Sequence, residues 1–348
     1  MILAIVVLIH AYAQNQPERP DIYDYPLDVD LYQIYNILGI DEDWTPEGKK
    51  CTRPINQVSF KLIRYPQSLC QPIVPNASEP LYSKRFVDIL IVVKSRLTSF
   101  DQRNAIRQTW ANATCASYLD TSTRTVFALG STARPQTSLI ERLRWEHDTF
   151  GDLLQFDFVD SYHNNTYKMM SVLRHISRNC RATRFVVLVD DDFLVHPSNL
   201  IRAIQRITTT QYPTYVSGFI YPMQFPERDA SSKWHVLYEN FPYQNFPPYP
   251  SGGTVILSMP VVHLVTVGMP FVKFLWIDDV FLGIILQKYG ISPQKLHGVW
   301  LPQNESDFDP SNAITVHGFD NPMKMLNGWM KLMQFGACPS RNDAGRRE

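Results

Sequence analysis

Three consecutive carboxylates, Asp190, Asp191 and Asp192, follow the apolar run Phe185-Val-Val-Leu-Val and precede a second apolar run, Phe193-Leu-Val. Five β-branched or large apolar residues in a row read as a buried strand. Unpaired charge is too costly to continue inside such a core, so the acids belong where the strand ends, at a cleft. Ligands of open α/β sheets bind outside the carboxyl ends of their strands. Three adjacent like charges favour a cation, and Mg²⁺ and Mn²⁺ prefer oxygen ligands that bridge carboxylates to phosphates. Taken alone, the triplet also reads as a solvated acidic turn. Other groups stand at places where chemistry could be done. Asp278 and Asp279 open an apolar stretch, His317 closes one, and Arg103 and Arg107 are four apart, so both guanidinium groups leave one helix face.

The elements that must position these residues alternate. A strand from Phe86 to Lys94 precedes a helix that Ser99 could cap and that carries Arg103 and Arg107. Strands at Arg124–Gly130 and Leu153–Phe158 bracket a helix at 138–149, and a further helix opens between Asp160 and Lys168 and runs to Arg178. The strand at Phe185 leads through the acids to a helix from Pro197 to Ile207. Strands and helices alternating at this size predict an α/β domain with a mostly parallel central sheet flanked by helices. Beyond Gly218 the pattern changes to an aromatic, proline-rich stretch and then Tyr249-Pro-Ser251-Gly252-Gly253. Adjacent glycines ahead of a β-rich run predict a backbone that something approaches closely. The apolar run from Val261 to Trp276 is interrupted by Gly268, Pro270 and Lys273, which excludes a membrane span there.

The 348 residues are 45% hydrophobic and 19% charged, with 33 basic and 33 acidic side chains. The zero balance argues against a general nucleic-acid binder. The five cysteines, Cys51, Cys70, Cys115, Cys180 and Cys338, form no C-x-x-C pair, which argues against structural zinc. Residues 1–13 end in Ala-Tyr-Ala and resemble a signal peptide or short signal anchor. A buried N-terminal strand is the other reading. Residues 14–84 read as a stem or lead-in, with Cys51 and Cys70 as a possible staple, residues 85–335 as the catalytic domain, and 336–348 as a polar tail. Four glycosylation sequons begin at Asn76, Asn112, Asn164 and Asn304.

Five motifs in order carry a resemblance: Arg103-x-x-x-Arg107-x-Thr-Trp110, Asp160-Ser-Tyr-x-Asn-x-Thr-x-Lys168, Asp190–Asp192, Tyr249-x-Ser-Gly-Gly, and Asp278-Asp279-Val280-x-x-Gly283. Together they resemble the β-1,3-galactosyltransferase and β-1,3-N-acetylglucosaminyltransferase family of Golgi enzymes, over roughly Phe86 to Phe319. The resemblance implies a GT-A fold, a UDP-sugar donor, a divalent metal and inversion at the sugar. In its pattern the last acid of the triplet, Asp192, is a direct metal ligand, and a late histidine, here His317, is the second. Asp190 is expected to support the metal, and Asp191 the nucleotide sugar. Imidazole beside carboxylate favours Mn²⁺ over Mg²⁺. The alternative for His317 is a solvent-facing strand end.

Arg103 and Arg107 are expected at the diphosphate or uracil, because guanidinium binds phosphate oxygens as a planar fork. A solvated helix face with Arg107 on Trp110 is their other reading. Asp160 and Lys168 are expected near the nucleotide, with Asp160 also able to cap its helix. Inverting transfer needs one base for the acceptor hydroxyl; Asp279 is the first choice and Asp278 the second, against a plain helix-dipole role. Tyr249, Ser251, Gly252 and Gly253 are expected at the sugar and acceptor. Where the family has Glu-Asp-Val, Cys and a third glycine or aromatic, this chain has Asp278-Asp279-Val280, Pro250 and Thr254-Val255. A motif loop packed on the nucleotide would leave the Asn164 sequon unused.

The expected activity is transfer of a hexose, galactose first and N-acetylglucosamine or N-acetylgalactosamine second, to the 3-hydroxyl of a glycan on glycoprotein or glycolipid. The expected place is the Golgi membrane with the catalytic domain in the lumen, or the secretory lumen if residues 1–13 are cleaved. A carbohydrate-binding scaffold without catalysis is the alternative of another class. The absence of G-x-G-x-x-G after a strand, and of G-x-x-x-x-G-K-[ST], argues against a dinucleotide-dependent oxidoreductase.

Overall fold

The computed structural model describes residues 56–71, 87–112, 115, 117–118, 121–302 and 307–338. In chain order the elements are β1 (Leu62–Arg64), β2 (Ile89–Lys94), α1 (Phe100–Gln108), β3 (Ser117–Tyr118), β4 (Thr121–Ser131), α2 (Thr137–Phe150), β5 (Leu153–Val159), α3 (Asn165–Asn179), β6 (Phe185–Asp190), β7 (Phe193–Val195) and α4 (Pro197–Gln205). They continue with β8 (Val216–Tyr221), β9 (Tyr249–Ser258), α5 (Met259–Gly268), α6 (Asp278–Lys288), β10 (Gln294–Lys295), β11 (Val299–Trp300), β12 (Thr315–His317) and α7 (Pro322–Met333).

The main sheet runs β1-β5-β4-β2-β6-β9-β8-β10. Its centre, β5-β4-β2-β6, is parallel as expected. Its far half is not, because β9 pairs antiparallel with both β6 and β8. The sheet is therefore mixed rather than mostly parallel. Side chains on a strand alternate between faces, and β2 and β6 show why their runs are apolar throughout. Leu90, Val92, Val186 and Leu188 join the core shared with α3, α5 and α6, while Ile91, Val93, Val187 and Val189 join the core shared with α1, α4 and α7. A sheet covered on both faces needs apolar residues at every position.

A second, three-stranded sheet has the order β11-β12-β7. Its strands are short, and only Asp191 and Asp192 separate the end of β6 from the start of β7. It pairs His317 with Phe193, the residue after Asp192. The α/β alternation predicted none of this ribbon beyond the apolar ends of β7 and β12.

The expected boundary near residue 84 also shifts. β1 pairs antiparallel with β5, and the Asn56 N–H donates to the Pro270 carbonyl (3.1 Å), so part of the expected lead-in belongs to the folded body. Cys70 bonds Cys180, which replaces the expected staple to Cys51; Cys51 lies outside the described residues. Cys115 bonds Cys338, and Ala337 is fully buried, so the start of the expected polar tail is structural as well. No helix among the described residues is long and apolar enough to cross a membrane. Residues 1–13, Asn76 and Asn304 lie outside the described residues.

Candidate active site

The acids stand where the sheet's central strands end. Lys94 closes β2 and Asp190 closes β6, and the register sets them side by side. The Lys94 ammonium, only 6% exposed, reaches Asp190 Oδ1 at 3.0 Å and Asp278 Oδ2 at 2.7 Å. Burial would lower the lysine, but Asp190 and Asp278 outweigh it and hold it well above its ordinary value, so it stays charged. Burial pushes Asp190 upward, Asp192 and Asp278 add to that, and Lys94 opposes it.

Asp191 turns away from its neighbours. Its carboxylate accepts from the Ser95 hydroxyl (2.8 Å) and its carbonyl from Gln102 Nε2 (2.7 Å). Burial raises it, and the Ser95 bond works against that rise. Asp192 faces His317, with Oδ2 3.2 Å from Nε2. The Asp192 carbonyl accepts the N–H groups of Gly318 (3.2 Å) and Phe319 (2.9 Å), which keeps the β12 end beside the triplet. The bond to Asp192 holds His317 above the ordinary imidazole value, with burial pulling the other way.

Asp279 and Asp278 occupy the first turn of α6, where the helix dipole favours acids. Asp279 Oδ2 accepts the Gly252 N–H (3.0 Å) and Oδ1 accepts the Val280 N–H (2.9 Å). Burial, then the neighbouring Asp278, push Asp279 up to about 6. The glycines are close approaches, as expected. A Cβ on Gly253 would lie 2.1 Å from the Phe193 ring, and one on Gly252 would meet Lys94 Nζ at 3.3 Å.

Two cavities meet at Asp190. One, of about 570 Å³, is lined by Asp279, His317, Tyr249, Ser251 and Gly253 together with aromatic side chains. The other, of about 590 Å³, is lined by Asp190, Asp191, Asp192, Asp160, Lys168 and the loop from Ser95 to Thr98. Lys168, almost fully buried, donates to the Ser95 carbonyl (2.6 Å) and pairs with Asp160 Oδ1 (2.9 Å). Asp160 Oδ2 accepts the Gly130 N–H (3.0 Å), and Asn164 rather than Asp160 stands at the start of α3, so the expected cap is not made.

Arg103 and Arg107 share a face, as their spacing requires, but that face points into the protein. Arg103 is fully buried, bonds Glu146 through Nε (2.8 Å) and Nη2 (2.6 Å), and donates to the Arg96 carbonyl (2.6 Å). Arg107 pairs with Asp152 (2.7 Å) and Glu146 (2.8 Å). Neither lines either cavity beside the triplet, which corrects their expected place on the diphosphate: buried guanidinium groups go to buried carboxylates. Arg107 also lies over the Phe127 and Phe150 rings rather than Trp110. The exposed guanidinium at the second cavity is that of Arg96.

Lys94 and Arg96 were missed from sequence. A charged residue ending a buried strand is the signal that singled out Asp190, and it applies equally to Lys94. Ser99 begins α1 without a capping bond from its hydroxyl. Asn164 Nδ2 donates to the Val159 carbonyl (2.7 Å), and Asn112 lies just beyond α1, beside a separate cavity of about 360 Å³.

A divalent cation fits one place on structural grounds. Asp192 Oδ1 is buried with no hydrogen-bond partner among the described residues, beside a histidine nitrogen. Among the described residues, no group of three or more His, Cys, Asp or Glu side chains is arranged to hold an ion alone. The remaining ligands would be diphosphate and water oxygens, as is usual for such ions.

Comparison with known proteins places the chain. The family model described as galactosyltransferase matches residues 101–297. Lactosylceramide 1,3-N-acetyl-β-D-glucosaminyltransferase of Homo sapiens is 31% identical over 236 residues, covering 66% of this chain and 62% of its own length. Beta-1,3-galactosyltransferase 1 of Mus musculus is 31% identical over 246 residues, covering 71% of this chain and 70% of its own. Among solved structures, galactosyltransferase LgtC with donor and acceptor sugar analogues matches at TM-score 0.38 and 12% identity, over 74% of this chain and 100% of that one. On the sequence matches, the chain belongs to the galactosyltransferase family.

Proposed function

We propose that this protein is an inverting β-1,3-glycosyltransferase that moves a hexose from a UDP-sugar to the 3-hydroxyl of a glycan. The observation that carries this reading is the meeting of two cavities at the acidic triplet, with an available carboxylate, Asp279, on one side and Lys168, Asp191 and Arg96 on the other. The second cavity suits the nucleotide diphosphate, with the Arg96 guanidinium free to take its oxygens. The first suits the sugar and acceptor. Asp192 and His317 would hold a divalent cation, Mn²⁺ ahead of Mg²⁺, and Asp190 would reach it through water. When bound, that cation supplies Lewis-acid stabilisation of the departing diphosphate.

Asp279 takes the proton of the acceptor hydroxyl as its oxygen attacks the anomeric carbon. The new C1–O bond forms on the face opposite the diphosphate, whose bond to C1 breaks with its electron pair, so configuration inverts. The Gly252 and Val280 N–H groups hold the Asp279 carboxylate, and Lys94 keeps Asp278 and Asp190 in place beside it. Galactose is the first choice of donor sugar, N-acetylglucosamine or N-acetylgalactosamine the second. The two disulfides support a secretory compartment, the Golgi lumen, since such bonds persist in oxidising environments.

The experiment is Asp192→Ala assayed over a Mn²⁺ titration with a panel of UDP-sugars. Loss of turnover with unchanged thermal unfolding is expected. Full activity in the variant would remove the assigned cation site, and a wild type that binds UDP without any donor turnover would favour a carbohydrate-binding scaffold instead.

A further inference from the structure

The segment between β8 and β9 raises a question of economy: it is well braced yet leaves large rings in water. Its main chain is tied to itself by the Phe246 N–H to the Gln224 carbonyl (2.8 Å) and the Val236 N–H to the Glu227 carbonyl (2.8 Å). The Arg228 guanidinium clamps it from within, donating to the carbonyls of Val236 (2.6 Å), Phe241 (2.7 Å) and Tyr243 (3.2 Å). Val236, Phe241 and Phe246 are buried beneath it. Phe225 and Trp234 nevertheless stay 62% and 50% exposed, and both line the cavity that Asp279 and His317 line. An ordered segment has no folding reason to present two large rings to a water-filled cleft. Exposed apolar surface at a groove marks a place where something docks.

The orientation of the indole is fixed. Trp234 Nε1 donates to the Tyr162 hydroxyl (3.1 Å), which spends the one polar atom of the ring, and the Lys233 ammonium lies over one π face at 4.3 Å from the centroid, so contact with a ligand falls to the other face. Tyr162 lines the opposite cavity, so this bond spans the boundary between the two. Polar groups line the same cavity as the rings: Gln224, Glu227 and Ser251. A flat apolar platform edged by hydrogen-bonding groups matches a pyranose ring, which carries C–H groups on a face and hydroxyls around its edge.

We propose that Phe225 and Trp234 form the acceptor subsite, taking a terminal hexopyranoside face-on so that its hydroxyl edge is turned toward Asp279. This rests on the transferase reading above and adds to it the residues that select the acceptor. Tyr162 is a positioning residue, acting through the indole.

The test uses soluble acceptors, p-nitrophenyl β-galactoside and β-N-acetylglucosaminide, with the whole chain. Trp234→Ala is expected to raise acceptor KM by about 10–100-fold, with UDP affinity measured by calorimetry within about twofold of wild type as the fold control. Trp234→Phe keeps a platform and should recover most of the loss, and Phe225→Ala should move acceptor KM in the same direction. Tyr162→Phe removes only the hydroxyl and should raise acceptor KM by a smaller factor, and adding it to Trp234→Ala should raise acceptor KM no further than Trp234→Ala alone. Unchanged acceptor KM in both alanine variants overturns the proposal. So does loss of binding to phosphatidylcholine vesicles in Trp234→Ala with acceptor KM intact, which would make the rings a lipid contact. If the wild type turns over no UDP-sugar, the transferase reading falls separately, and saturation-transfer NMR with the same glycosides still decides the subsite: binding by wild type lost in Trp234→Ala supports it, and equal binding overturns it.

Discussion

Asp278 and Asp279 are neighbours in sequence with different surroundings. Asp278 is taken by Lys94, whereas Asp279 is held by two backbone N–H groups and lines the cavity proposed for the acceptor. Of the two, only Asp279 is placed to receive a proton. Asp279→Asn should lower kcat by about 10²–10⁴-fold with donor KM little changed, the usual worth of a general base, in steady-state kinetics. A base must be ionised to act, so activity should be flat above about pH 6 and fall tenfold per unit below it, because burial and Asp278 hold Asp279 at about 6. A kcat/KM profile lacking that acid limb would count against Asp279. Lys94 is the counterweight of the whole group. Lys94→Met would leave Asp190 and Asp278 without their buried cation, and breaking such a pair costs about 3–5 kcal/mol, readable as a lower midpoint in urea unfolding. If Asp192 and His317 hold a cation as proposed, added Mn²⁺ should recover part of that loss in the same experiment.

At the scale of elements, α1 and α2 are locked by charge rather than by apolar contact alone. Glu146 on α2 bridges Arg103 and Arg107 on α1, and Arg103 also holds the Arg96 carbonyl in the loop after β2. Burial raises Glu146, but Arg103 and Arg107 outweigh it and leave it below the ordinary carboxylate range. Glu146→Ala strips the buried Arg103 of its charge partner and should cost about 3–5 kcal/mol, measured by chemical denaturation. Because the loop it braces lines the donor-side cavity, UDP affinity should fall as well. The i, i+4 spacing announced a shared face for the two arginines but not where that face would point. Orientation depends on Glu146 and Asp152, some forty residues further along the chain, and nothing local to α1 records them. The β11-β12-β7 ribbon makes the same point for His317. Three short strands carry little periodicity of their own, yet their pairing is what brings the histidine to Asp192.

Across the whole molecule, two disulfides join distant parts of the chain to the sheet-and-helix body. Cys70–Cys180 ties the segment carrying β1 to the residue after α3 across 110 residues, and Cys115–Cys338 ties the segment after α1 to the segment after α7 across 223. Removing the first with paired Cys70→Ala and Cys180→Ala substitutions should cost about 2–5 kcal/mol, seen as a lower thermal midpoint. Its effect on kcat should be small, because β1 lies at the sheet edge remote from the acids in strand order.

The local pattern was sufficient for the strand-helix alternation, the placement of the triplet at a strand end, and the close approach at Gly252 and Gly253, since period, charge and missing side chains act within a few residues. It also carried the family, through five ordered motifs. Only the tertiary structure decided that Arg103 and Arg107 serve Glu146 and Asp152, that Lys94 stands between Asp190 and Asp278, that Cys70 pairs with Cys180, and that Phe225 and Trp234 face the same cavity as Asp279. Each of these joins residues distant in sequence, and a charge or a ring takes its meaning from the partner across the gap. The identity of that partner is a property of the packed chain and not of the residue.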